Sequence, residues 1–122
     1  MAGTGEWDPL VHLCSERQWR DALAAGEVRP GPAGFIHLSA PRQVHLPANR
    51  IFAGSTDLVA LMVDRRVLEA PVRWEPGVPG DPEGMLFPHL YGPLPVAAVV
   101  KVKPYRPQPD GRFAPLIHTP AE

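Results

Sequence analysis

Three histidines of this sequence, His12, His37 and His89, fall inside or beside runs with strand patterning. An imidazole titrates near neutrality, so it can exchange protons, hold a ligand hydroxyl or bind a metal. In GFIHLSAP, Gly34 to Pro41, strand alternation puts Ile36 and Leu38 on one face and Phe35, His37 and Ser39 on the other. In VRWEP, Arg73 and Glu75 share the face opposite Val72 and Trp74. His89 and Tyr91 likewise share a face of FPHLYGPLP, whose prolines would hold both rings in place. Glu75 stands at the mouth of a Gly and Pro cluster, PGVPGDPEG, Pro76 to Gly84. Loops held by a rigid scaffold commonly carry function, and a carboxylate there can orient an imidazole or hold a ribose hydroxyl. The candidate catalytic residues are therefore His37, Glu75 and His89, and the candidate ligand contacts are His12, Arg73, Tyr91 and Ser39.

Each of these has a plainer alternative. A single histidine is well explained as a half-buried core residue with satisfied hydrogen bonds. Arg73 and Glu75 also fit a partly exposed pair worth at most about 1 kcal/mol. Two histidines that open strand-to-helix turns on the less apolar face of their strands argue for a site. His45 and His118 read as surface residues on a helix flank and in the C-terminal segment, and Ser39 reads first as a helix cap. Three histidines and a carboxylate suffice in principle for zinc, but there is no HExxH, no cysteine pair and no close histidine spacing, so no metal is expected. Cys14, beside Leu13 in a strand, reads as a buried, inert thiol. Neither GxGxxG nor GxxxxGK[ST] occurs, which removes the Rossmann and P-loop nucleotide sites.

The elements that must position these residues are legible in part. LVHLC, Leu10 to Cys14, alternates as a strand with His12 and Cys14 on one face. Ser15 and Gln18 then form a capping box, Trp19, Ala22 and Leu23 share a helical face, and Gly26 stops the helix. After GFIHLS the order repeats: Ser39 is placed to cap, and Val44, Ile51 and Phe52 are helically spaced before Gly54. Pro47 means that this helix either begins near Leu46 or is kinked there. HLCSERQW and HLSAPRQV match in His, Leu, Arg and Gln, which suggests one local solution used twice. DLVALMVD, Asp57 to Asp64, reads as a strand buried on both faces, and further strands follow in VRWEP, MLFPHLYGP and VAAVVKVKP. Two short helices in the N-terminal half and a strand-rich second half predict an α+β domain with a mixed or mostly antiparallel sheet.

The 122 residues, 44% hydrophobic and 20% charged, suit one domain spanning 1–122, with its core at about 8–104 and a proline-rich tail at 105–122. Twelve basic against thirteen acidic residues make nucleic acid an unlikely partner. The charges of Lys101, Lys103, Arg106 and Arg112 fit a solvated strand end. One cysteine forms no internal disulfide framework, and MAGTGEWDPL has no signal-peptide pattern, so a cytoplasmic protein is expected. No apolar run approaches the roughly 20 residues that span a bilayer. Seventeen prolines and eleven glycines cluster between periodic segments and mark loops, among them an expected mobile Pro76 to Gly84 loop.

The order of a first-strand histidine, GFIHLS, a helix ending in FAG, RWEP and LFPHLYGPLP resembles the bacterial family numbered 952 among the domains of unknown function. The resemblance spans roughly Leu10 to Pro104. It implies a fold similar to a reduced ADP-ribosyltransferase domain, distantly related to NAD-consuming RNA 2′-phosphotransferases. On that resemblance His12 occupies the place of the histidine that binds the NAD ribose, and His37 the place of a residue near the nicotinamide. Leu13 and Cys14 depart from the Gly and Thr or Ser common after that first histidine, and no motif aligns Glu75 with the transferases' glutamate.

Three functions are consistent with these residues. The first is an enzyme that binds NAD or ADP-ribose, with His12 on a ribose hydroxyl, His37 and Tyr91 on the rings, and Glu75 stabilising an oxocarbenium ion. The second is a general acid and base acting on a small metabolite without NAD. The third is a module that binds a small ligand without turnover. Pocket character separates the first two, because a pyrophosphate needs arginines or backbone donors and an uncharged metabolite needs apolar walls. Arg17, Arg42 and Arg73 are the candidates to meet a pyrophosphate.

Overall fold

The computed structural model describes residues 9–116; His118 and the outermost residues of both chain ends lie outside them. The chain begins with β1 (Leu10–Ser15) and α1 (Glu16–Ala25), followed by β2 (Glu27–Val28), β3 (Ile36–His37) and α2 (His45–Ile51). It continues through β4 (Leu58–Val63), β5 (Val72–Pro76), β6 (Leu86–Leu90), β7 (Leu94–Pro95) and β8 (Val99–Pro104). The strands form two three-stranded sheets, β1-β4-β8 and β3-β6-β5, and a small β2-β7 ladder. Every pairing between these strands is antiparallel. The α+β class and the antiparallel pairing agree with the sequence.

β4 is the centre of the first sheet. All six of its residues, LVALMV, are buried, as a run with no polar face requires. Ala60 and Met62 join Val11 and Val44 in one cluster, whereas Val59 and Leu61 pack with Cys14 and Trp19 beneath α1. α1 starts as its sequence dictates: Ser15 accepts from the Gln18 N–H at 3.0 Å, and Gln18 Oε1 accepts from the Ser15 N–H at 2.9 Å. Gly26, at φ 89°, closes it in the left-handed conformation that a side chain disfavours.

The second copy of this solution is only half repeated. Ser39 does not cap a helix; its backbone pairs with Val11, with N–H···O distances of 2.8 and 2.9 Å. α2 begins later, after Val44, with no side-chain cap and with Pro47 in its first turn. In the aligned octets Ala40, not Ser39, stands three residues before the glutamine. The glutamine half of the box persists, since Gln43 Oε1 accepts from the Ala40 N–H at 2.9 Å. His45 is also not a simple surface residue, because its Nδ1 is buried with no hydrogen-bond partner among the described residues.

The strand expected over GFIHLS splits. Ile36 and His37 pair with β6, and two residues on Ser39 pairs with β1. Residues 36–39 thus stitch the two sheets together, and Leu10, Val63, Ile36, Leu38 and Leu90 fill the core between them. The expected core boundary at residue 104 falls too early. Tyr105 and Phe113 are buried against Val44 and Ala48, and the Asn49 carboxamide holds both the N–H and C=O of Phe113 at 2.7 and 3.1 Å. An apolar pair of rings removed from water explains why this proline-rich segment folds back.

Candidate functional site

The sheet β3-β6-β5 has one face toward the core, carrying Ile36, Leu38, Leu90 and Val72. Its register then decides what the opposite face carries. His37 lies opposite His89, which lies opposite Arg73, so three strands contribute one row. Glu75 faces Phe87 in the next row, while Phe35 and Tyr91 extend the other side. Directly opposed residues share a face, and chemistry scattered over fifty-odd positions of sequence is thereby gathered.

Glu75 organises the cluster. Its Oε1 accepts from His89 Nδ1 at 2.7 Å and from the Tyr91 hydroxyl at 2.7 Å. Those two hydrogen bonds, with that from Tyr91 the larger influence, hold the Glu75 carboxyl below its usual range and keep it ionised. Tyr91 responds oppositely: the carboxylate that accepts its proton raises the phenol, which remains a donor. His89 is only 8% exposed, and its Nδ1 proton is committed to Glu75, so Nε2 is the nitrogen left for a ligand. The Arg73 guanidinium lies 4.8 Å from the centre of the Tyr91 ring.

The rings pack tightly. Phe35 stacks on His89 with centroids 4.1 Å apart and planes 18° from parallel, and His37 stands edge-on to His89 at 5.4 Å. His37 is exposed, and its basicity is lowered by desolvation first, then by His89 and Arg50 nearby. A cavity of about 240 Å³ opens beside these two histidines. Pro47, Arg50 and Ile51 of α2 form one wall, and Pro76 at the end of β5 with Gly77 and Val78 of the loop after it form another. The loop is pinned: Asp81 takes Arg50 at 2.6 Å and the Val78 N–H at 3.0 Å. Gly77 is required there, since a Cβ would collide with the Asp81 carboxylate and lie 2.7 Å from the Phe87 ring.

His37, Arg73, Glu75, His89 and Tyr91 are therefore brought together on one face; of the expected residues His37, His89 and the backbone-paired Ser39 line the cavity, whereas Arg73, Glu75 and Tyr91 sit beside it and do not line it. His12 is not part of this cavity. Its Nδ1 donates to the His37 carbonyl at 2.9 Å from behind, and the ring lines a different cavity beside α1. Burial lowers its pKa, so it stays neutral. Burial also pushes the Cys14 thiol up to about 11, which makes it a poor nucleophile. Among the described residues, no group of three or more His, Cys, Asp or Glu side chains is arranged to hold a metal.

Arg50, Phe35, Gln43 and Asp81 were not singled out by spacing. Gln43 is buried and also donates to the Leu86 carbonyl at 3.1 Å, tying the α2 turn to β6. Its signal was present in the Gln of the repeated octet. Arg50 and Asp81 meet only through a contact 31 residues apart, which no local pattern reveals.

An antiparallel sheet with a Glu–His–Tyr cluster on the face away from the core defines an α+β domain with a candidate acid and base site. Residues 13–102 match the family described as a protein of unknown function, DUF952, and the chain belongs to that family. It is similar to protein CC0527 from Caulobacter crescentus. The crystal structure of that protein is 32% identical, covers 86% of this chain and 92% of its own, and superposes with a TM-score of 0.75. Its solution NMR structure gives 32% identity, 85% and 90% coverage, and a TM-score of 0.70. No curated protein matches the chain. Among the described residues no helix is long and apolar enough to cross a membrane.

Proposed function

We propose that the Glu75–His89 pair and His37 form a general acid and base site for a small metabolite, performing a dehydration, isomerisation or cyclisation. The observation that supports it is the orientation of His89: Glu75 holds Nδ1 at 2.7 Å beside a cavity walled largely by Phe35, Leu38, Ile51, Val78 and Phe87. At about 240 Å³ the cavity is smaller than the range of about 300–1,000 Å³ typical of drug-sized ligands. In this reading His89 Nε2 removes the substrate proton, and the ionised Glu75 steadies the imidazolium that forms. His37, next to His89 on the same cavity wall, hydrogen-bonds the group that gains charge, and Arg50, held by Asp81 through Nη1, keeps its remaining guanidinium N–H groups for a ligand. Cys14, a free thiol, suits the reducing cytoplasm.

The test is an untargeted mass-spectrometric comparison of a small-molecule extract incubated with the wild type, His89→Gln and Glu75→Gln. A metabolite consumed only by the wild type, with an isobaric or dehydrated product, supports the reading. Unchanged extracts in all three tubes would overturn turnover and leave a binding module.

A second reading, cleavage of NAD on an ADP-ribosyltransferase-like fold, is favoured by the corner where Phe35 and Tyr91 lie beside Glu75, whose Oε2 is not used by His89 or Tyr91. There the N-glycosidic bond would break, nicotinamide would leave with the electron pair, and water or an acceptor oxygen would bond to the ribose carbon as its proton passes to solvent. Arg17, Arg42 and Arg73, the arginines expected to meet a pyrophosphate, do not line the cavity, and His12 faces elsewhere, which weighs against a bound pyrophosphate and ribose. A thermal-shift titration with NAD, ADP-ribose and nicotinamide separates the readings. A ligand at 100 times its dissociation constant stabilises by about 2.7 kcal/mol, and a shift with nicotinamide release would favour NAD.

A further inference from the structure

We infer that the second cavity, between β1, α1 and β2, is a binding site for a small organic cation with an apolar body, and that His12 connects it to the back of the first site. The cavity measures about 380 Å³, within the range of small-molecule sites. Leu13, Ala22, Val28 and Phe52 supply hydrocarbon and aromatic wall.

Its polar groups favour a donor. His12 Nδ1 gives its proton to the His37 carbonyl at 2.9 Å, so the neutral ring presents Nε2 as an acceptor. Asp21, on the open side of α1, has no hydrogen-bond or ion-pair partner among the described residues. Glu27 is paired with Arg29 at 3.1 Å, so these two charges offset each other at the rim. Gln18 Oε1 is occupied by the Ser15 N–H, leaving its amide nitrogen as a neutral donor. Asp21 is then the uncompensated charge on this wall, and an ammonium is the group it matches. A primary amine that donates to His12 Nε2 polarises the ring, and the hydrogen bond from Nδ1 to the His37 carbonyl strengthens with it. The link runs through one imidazole and does not depend on what the first site catalyses.

The experiment is a ¹H–¹⁵N NMR titration of the full chain at neutral pH with 2-phenylethylamine and, separately, with phenylacetate. The amine is expected to shift β1, α1 and β2 amides saturably, together with the Leu38 amide, whose peptide carries the His37 carbonyl. Phenylacetate should leave them unchanged. Asp21→Asn should weaken the amine by about two- to fivefold, as loss of one exposed ion pair predicts. In His12→Ala the Leu38 response should vanish while the α1 shifts persist. Equal binding of phenylacetate, no saturable shift with either probe at millimolar concentration, or unchanged affinity in Asp21→Asn would each overturn the cation site. A Leu38 response that survives in His12→Ala would overturn the connection.

Discussion

The two three-stranded sheets of this domain are built alike and loaded differently. β1-β4-β8 has a central strand buried on both faces, so its middle is hydrocarbon throughout. β3-β6-β5 packs Ile36, Leu38 and Leu90 against the core on one face; on the other its central strand also buries Phe87 and His89, and that face collects His37, Glu75 and Tyr91. A strand covered on both sides has no room for a polar group without a partner, because the desolvation cost goes unrecovered. The second sheet meets that cost by partnering its polar groups, Glu75 with His89 and Tyr91, beside an open cavity. Stability should therefore concentrate in the first sheet and chemistry in the second, and four substitutions probe that division.

The largest loss of stability is expected for Leu61→Ala in β4. Leu61 is fully buried, and leaving a cavity there should cost about 2–5 kcal/mol by urea denaturation. A loss below about 1 kcal/mol would mean that the sheet is not the mechanical centre. Next comes Gln43→Ala, which orphans the Ala40 N–H and the Leu86 carbonyl at the seam with the second sheet. A cost of about 1–3 kcal/mol is expected, and the same variant should loosen the turn that leads into α2.

The pH dependence of stability comes third. The folded-state pKa values of His12 and His37 are both depressed from the ordinary 6.5, His12 by burial and His37 by burial with His89 and Arg50. Above 6.5 both are neutral whether the chain is folded or unfolded. As pH falls below that value the unfolded chain binds protons that the folded chain refuses, so stability declines until the folded pKa is passed. Thermal midpoints measured from neutral pH downward should fall, and His12→Gln should flatten the curve. An unchanged slope in that variant would place the acid sensitivity elsewhere.

The smallest stability change is expected for His37→Ala, an exposed position, within about 0.5 kcal/mol. Ligand affinity or turnover should nonetheless drop by at least about tenfold. A large melting loss with no loss of binding would make His37 a structural residue and erase the contrast between the sheets.

Local pattern carried much of this architecture. β1, the Ser15–Gln18 box, β4 and β5 were legible because each is defined by neighbours within a few residues. The face shared by Arg73 and Glu75, and that shared by His89 and Tyr91, follow from strand alternation alone. GFIHLS misled on length, because the same segment is claimed by β6 at Ile36 and by β1 at Ser39, two competing long-range pairings. Ser39 misled as a cap because the position three residues before Gln43 is Ala40. The segment after Pro104 read as tail because prolines hide the burial of Tyr105 and Phe113.

By itself the sequence determined the α+β class, the strand faces and the kinds of group available: imidazoles, one organising carboxylate, a phenol. Those depend on alternation and capping, which act over one turn or one pleat. Only the tertiary structure decided which imidazoles meet. His89 joined Glu75 through the β5–β6 register, while His12, on a strand of the other sheet, reached His37 only at its backbone and turned its ring to a separate cavity. Which sheet a strand joins is set by core packing across the whole chain, and no single stretch encodes it.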